Sequence, residues 1–228
     1  MKALSKSFAN FIGFMRDVSD LIEIHDLLIS KRKIKAAAEP VRRRGRNLDV
    51  LRRAGIILLV TAWETHIEDV VRSEFSARLK VAIGPTDIEP LFNSIGNAWL
   101  EEKQGNNRVL KVTDLHSWAG EGWKKMLLDK FESDLKKFHS PNSENVKSLC
   151  KRYLNENDIS RHWTWSGIPS TEICLKLDKL IERRGELVHR AESSLFEASS
   201  HVRIDEVKAA KDLIFNLVQR TQECLGLH

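Results

Sequence analysis

Cysteine is scarce in this chain and poorly spaced for metal or disulfide chemistry. The three present, Cys150, Cys174 and Cys224, form no C-x-x-C pair and leave an odd count. That argues against a disulfide framework and against a zinc knuckle, and it fits a reduced cytoplasm. Long apolar runs are missing as well. The longest, around Ala54 to Trp63, is about half of the ~20 residues that a membrane-spanning helix needs, so no membrane is expected as a partner. No H-E-x-x-H, no clustered carboxylates and no Cys/His ligand spacing occur, so metal-dependent hydrolysis ranks low and neither a metal nor another cofactor is expected. Proline is rare, five in 228 residues. Together with apolar residues recurring at helical spacing, that scarcity points to an all-α fold. The first residues offer no targeting segment: Arg16, Asp17, Asp20 and Glu23 interrupt them and no signal-peptide cleavage pattern follows. Phe8, Phe11, Ile12, Met15, Val18, Ile22 and Ile29 instead mark a first amphipathic helix.

What is present suits one globular domain over residues 1–228, with 42% hydrophobic and 30% charged residues and enough length for a sizeable core. Charge is unevenly placed. Between Lys31 and Arg46 eight basic residues face only Glu39, a net +7, whereas the whole chain is +5. The basic character is therefore local. Arg42, Arg43 and Arg44 in this segment are candidates for neutralising a nucleic-acid backbone, a sequence-blind and salt-sensitive form of binding. A solvated helix end followed by a loop has the same composition.

The longest helix is expected from about Asn47 to Ile83, stopped by Gly84-Pro85. Its middle, Ala54 to Trp63, is apolar on most sides, as a central helix surrounded by others must be. Ile57, Val60, Glu64, Ile67 and Val71 share one stripe, which places the Glu64 carboxylate on an apolar face. His66 falls beside Leu59, Ala62, Trp63 and Val70 and reads as a packed, hydrogen-bonded histidine. Residues 84–120 carry turn signals at Asn93, Gly96, Gln104, Gly105, Asn106 and Asn107 and read as an insertion of short helices and loops, locally packed around Trp99 and Trp118. Helical periodicity returns from Gly122 to Phe138. Ser143 is placed to cap the next helix, which buries Val146, Leu149, Cys150 and Tyr153. The loop with Asp158, Arg161, His162, Trp163 and Trp165 allows base stacking, though such tryptophans more often seal a core edge. A last helix is expected from about Ile204 to Leu225.

Between these lies Leu180 to Arg190, in a helix that begins at Pro169-Ser170-Thr171 and buries Ile173, Leu177, Leu180, Ile181, Leu187 and Val188. Arg184 falls on that buried stripe. A guanidinium there needs a partner or a ligand such as phosphate, because leaving it without one costs on the order of several kcal/mol. His189 stands five residues on, roughly 140° around the helix. Since Glu64 mirrors Arg184 on its own stripe, the two helices are expected to pack so that the pair meets; a buried ion pair that merely fixes register is the structural alternative.

Arg184-x4-His189 near the end of an apolar helix resembles the R-x4-6-H signature of the HEPN superfamily. Ala62-Trp63-Glu64 with Glu68-Asp69, Phe138-His139-Ser140-Pro141 with Asn145-Val146, and Asp158-Ile159 with Trp163 together resemble its RiboL-PSP-HEPN subgroup, over roughly Leu51 to Leu217. The resemblance implies a helical bundle and a metal-independent endoribonuclease. It also implies a homodimer whose motifs face each other across a cleft, with relatives in toxin–antitoxin or antiviral systems and hence an antitoxin or other defence protein as a partner. By position, Arg184 and His189 match the motif's arginine and histidine. The residue after the arginine departs from the pattern: it is usually polar, most often asparagine, and here is Gly185.

The chemistry can be built from the residues as well. RNA carries its own nucleophile, the 2′-hydroxyl, so cleavage needs a proton acceptor, a cation for the crowded phosphorane-like charge, and in-line geometry. An imidazole such as His189, titrating near ~6.5 when unperturbed, exchanges protons at neutral pH. Arg184 can hold two phosphate oxygens. Either Glu64 orients Arg184, or Glu186 holds the imidazole. Arg183 and Arg190 are further candidates for substrate phosphates. Products would carry a 2′,3′-cyclic phosphate and a 5′-hydroxyl. The competing readings are a non-catalytic HEPN-like module that binds RNA, nucleotide or protein, which Gly185 favours, and a purely structural bundle in a larger complex.

Overall fold

The computed structural model describes residues 6–35, 45–104, 118–189 and 201–227. Seven α-helices carry most of them: α1 (Lys6–Lys35), α2 (Gly45–Val81), α3 (Glu89–Gln104), α4 (Gly122–Leu135), α5 (Ser143–Leu154), α6 (Ser170–His189) and α7 (Ile204–Cys224), with 3-10 turns at Pro85–Ile88 and Ile159–His162. Among the described residues extended pairing is confined to one isolated bridge, Trp165 to Ile168. The expected all-α fold is the fold adopted. No helix among them is long and apolar enough to cross a membrane.

The chain divides into two compact units, residues 1–66 with 160–228, and residues 67–159. In the first, α1 buries Phe11, Met15 and Val18, α2 buries Ile56, Leu59, Val60 and Trp63, and α7 buries Val207, Ile214, Leu217 and Val218. Each set recurs at three and four residues, so each helix turns one apolar stripe inward and releases that area from water. Gly55 lets α2 approach α7 closely: a Cβ there would stand 2.9 Å from Val207 Cγ1. Trp163 is fully buried, crosses Trp63 at 5.8 Å between ring centroids, and donates its Nε1–H to Thr221 Oγ1 at 3.1 Å. It seals the core and is not open for stacking. Its neighbour Trp165 is partly buried at the start of a tight turn in which Ser166 and Gly167 both have positive φ, 52° and 76°.

In the second unit Phe75, Phe131 and Tyr153 meet in one aromatic cluster, with centroids 4.8 to 5.2 Å apart. Asp134 accepts from Lys130 (2.8 Å), Arg152 (2.8 Å) and the Tyr153 hydroxyl (2.6 Å). Burial works to raise the Asp134 carboxyl, but those three donors outweigh it and hold the group below the usual carboxylate range. Burial, and after it the same carboxylate, pushes the Tyr153 phenol far up, so it stays a neutral donor.

Two expectations need correction here. Residues 89–104 form one regular helix, not a run of short pieces, because Leu91 and Ile95 are buried on one face. Phe92 and Trp99 also pack on Trp118, at 5.6 and 5.2 Å. Asn93 and Gly96 are interior to it: packing overrides their turn preference. The cap of α5 is Asn142, whose backbone is extended and whose side chain accepts from the Asn145 N–H, while Ser143 is the first helical residue and is buried. The stop of α2 behaves as expected. Asp87 Oδ2 accepts the N–H groups of Ile83 (2.6 Å) and Gly84 (3.0 Å) as the chain turns away.

Candidate active site

Helix α6 starts on Pro169, whose carbonyl accepts the Glu172 and Ile173 N–H groups. Its buried residues Ile173, Leu177, Leu180 and Leu187 form a stripe of alternating four- and three-residue steps, and Arg184 occupies the step between Leu180 and Leu187. The geometry follows from periodicity alone. Arg184 is partly buried, and its Nε is buried with no hydrogen-bond partner among the described residues. Such a donor costs about 1 to 3 kcal/mol unless something outside the fold accepts from it.

Glu64 is partly buried on α2 and has interactions of its own. What ties α2 to the motif helix is Arg53, which donates to the Leu187 carbonyl at 2.9 Å. Leu187 is among the last four residues of α6, whose carbonyls lack intrahelical donors, so Arg53 serves as a side-chain cap two residues before His189. His189 ends α6; its side chain lies outside the described residues, as do Arg190, Arg42, Arg43 and Arg44.

Arg183 is occupied. It donates from Nε to Glu206 (3.1 Å), from one terminal nitrogen to Glu186 (3.1 Å), and from the other to the His201 carbonyl (3.2 Å). Glu186 is thereby engaged with Arg183, one helical turn back. Beside Arg184, Gly185 faces open space: a Cβ there would meet nothing within 4 Å. His66 is buried, with its ring 5.6 Å from that of Phe11, as a packed residue would be.

Several residues around this end of α6 carry no sequence signal of their own. Asp49, one turn before Arg53 on α2, accepts from His201 Nδ1 at 2.9 Å and from the Val202 N–H at 3.3 Å. Arg52 donates to the Val202 carbonyl and, through Nε, to Nε2 of the buried His25, both at 3.0 Å. Because a guanidinium only donates, His25 Nε2 must accept, and its proton sits on Nδ1 facing Asp26 Oδ1 at 3.0 Å. That hydrogen bond is the main reason the Asp26 carboxyl lies below its ordinary range. Apart from the adjacent His25 and Asp26, these pairings span 27 to 153 positions. The i, i+4 spacing of Asp49 and Arg53 is the sole local hint.

The family model described as RiboL-PSP-HEPN matches residues 19–226. No curated protein and no solved structure matches the chain.

Proposed function

The chain belongs to the RiboL-PSP-HEPN family, and from that premise we propose that it is a metal-independent endoribonuclease. Membership supports a nuclease or RNA-binding module, and one observation favours the nuclease. Arg184, at the motif position, keeps a buried Nε with no partner among the described residues, which suits a group reserved for a substrate phosphate. His189, at the end of the same helix, receives the 2′-hydroxyl proton as the oxygen attacks phosphorus. Arg184 stabilises the charge that builds on the phosphoryl oxygens. The products are a 2′,3′-cyclic phosphate and a 5′-hydroxyl. DNA, which lacks the nucleophile, survives.

The enzyme acts as a homodimer in the cytoplasm, as a toxin or antiviral effector held in check by a partner protein. Exposed apolar residues at the motif end of this unit, Val188 on α6 and Val50 on α2, 42% and 58% exposed, support a protein contact there. Activity per protomer then falls on dilution below the dimer dissociation constant.

The test is incubation of the purified protein with mixed single-stranded and structured RNA in EDTA, beside Arg184→Ala and His189→Ala, with product ends analysed. Cleavage by the wild type alone, leaving cyclic phosphate, is the expected result. Intact RNA that is nevertheless bound by the wild type would support the second reading, a non-catalytic RNA-binding module, which Gly185 in place of the usual polar residue favours.

A further inference from the structure

A ribonuclease that uses the 2′-hydroxyl moves two protons: one leaves the nucleophile, and one must reach the departing 5′-oxygen. The Arg184–His189 motif supplies one imidazole. A second stands in the same unit. His201 is 69% exposed, while the Asp49 carboxylate bonded to its Nδ1 is only 15% exposed. An imidazole kept for packing would be buried. This one is fixed at Nδ1 by a carboxylate and presents Nε2 outward, the arrangement that sets the tautomer and direction of a proton-transferring histidine.

Its placement is tied to the motif helix. Asp49 and Arg53 lie one turn apart on α2, ~6 Å along the axis. Asp49 holds His201 while Arg53 holds the Leu187 carbonyl. Arg183, next to Arg184 in sequence, donates to the His201 carbonyl, and Arg52 to the Val202 carbonyl. The His201–Val202 backbone is therefore held from both helices, at the His201 carbonyl by Arg183 of α6 and at Val202 by Asp49 and Arg52 of α2.

We propose that His201, oriented by Asp49, is the general acid of the cleavage, an assignment that rests on the ribonuclease reading. As the 2′-oxygen bonds to phosphorus, its proton passes to His189. As the bond from phosphorus to the 5′-oxygen breaks, the His201 imidazolium gives its Nε2 proton to that oxygen. One proton is taken up and one released, and no other reactant is needed.

The test uses one oligonucleotide with a single cleavable ribonucleotide, made either with the normal 5′-oxygen or with sulfur in its place. A thiolate departs without protonation, so the sulfur substrate does not need the acid. His201→Gln is expected to slow the oxygen substrate by about 10²-fold or more and the sulfur substrate by far less, whereas His189→Ala slows both. Asp49→Asn keeps an acceptor for both His201 and Val202, so it preserves the fold. It should show a smaller loss, again confined to the oxygen substrate. Equal slowing of both substrates by His201→Gln, or of neither, overturns the assignment while the ribonuclease reading stands. Failure of the wild type to cleave either substrate overturns both.

Discussion

Replacing Arg184 by methionine separates a ligand-binding guanidinium from a structural one. Methionine keeps an unbranched, helix-favouring stem on the stripe between Leu180 and Leu187. It removes the Nε that is buried without a partner among the described residues. A buried donor with no acceptor forfeits about 1 to 3 kcal/mol. Because Arg184 is only partly buried, the lower part of that range applies, and the variant should gain about 1 to 2 kcal/mol. For a chain of this size each kcal/mol moves the melting temperature by about 2 to 4 °C. The expected result is thus a variant that melts a few degrees higher and no longer cleaves RNA. A thermal melt with and without inorganic phosphate completes the assay. Phosphate should raise the wild-type midpoint, since it binds the folded state alone, and should leave the methionine variant unmoved. A variant that melts lower than wild type would refute the reasoning, because the guanidinium would then be holding the fold together. Equal stabilisation of both proteins by phosphate would place the anion elsewhere.

Arg53→Ala should leave the Leu187 carbonyl without its donor, cost about 1 kcal/mol, and fray the end of α6, so that RNA cleavage falls far more than urea stability does. Gly55→Ala forces a Cβ to within 2.9 Å of Val207 Cγ1 and should destabilise by about 1 to 3 kcal/mol; Val207→Ala in the same chain should recover part of the loss by denaturant titration. Asp134, held below its ordinary range in the folded state, adds stability that is present above the unfolded carboxyl's titration and is lost as pH falls through the folded value. Denaturation midpoints of wild type should therefore drop below about pH 4, and Asp134→Asn should start lower and lose less over that window.

The helices most legible in the sequence are those whose pattern is set by burial on a single scale. The middle of α2 is apolar all round and ends at Gly84-Pro85, and its observed span, Gly45–Val81, lies within about two residues of expectation at each end. The stripe of α6 placed Arg184 on a buried face before any coordinates. Helix α3 was illegible because Asn93 and Gly96 signal turns locally, while Leu91, Ile95 and the aromatic group around Trp118 decide the outcome from a distance. The same limit applies at the candidate site. Arg53, Asp49 and His201 look like ordinary surface residues along the chain, and only the packing of α2 beside α6 gives them partners. For Glu64 and Arg184 the stripe argument identified two partly buried charges, because periodicity fixes the angle of a side chain about its helix.

The four arginines around this end of α6 differ in what it would cost each to turn toward a phosphate. Arg52, Arg53 and Arg183 donate to the carbonyls of Val202, Leu187 and His201. Withdrawing any of them leaves a carbonyl unsatisfied, at about 1 to 3 kcal/mol where water cannot replace the donor. Arg183 would in addition abandon Glu206 and Glu186. Arg184 has no such bond to break at Nε, so a phosphate reaching that nitrogen displaces no acceptor there. Neighbouring guanidinium groups of identical chemistry are thereby assigned different work by geometry: three tie down the main chain around the ends of α6 and α7, and the fourth keeps its Nε unengaged among the described residues. A phosphate competing for all four should therefore settle on Arg184.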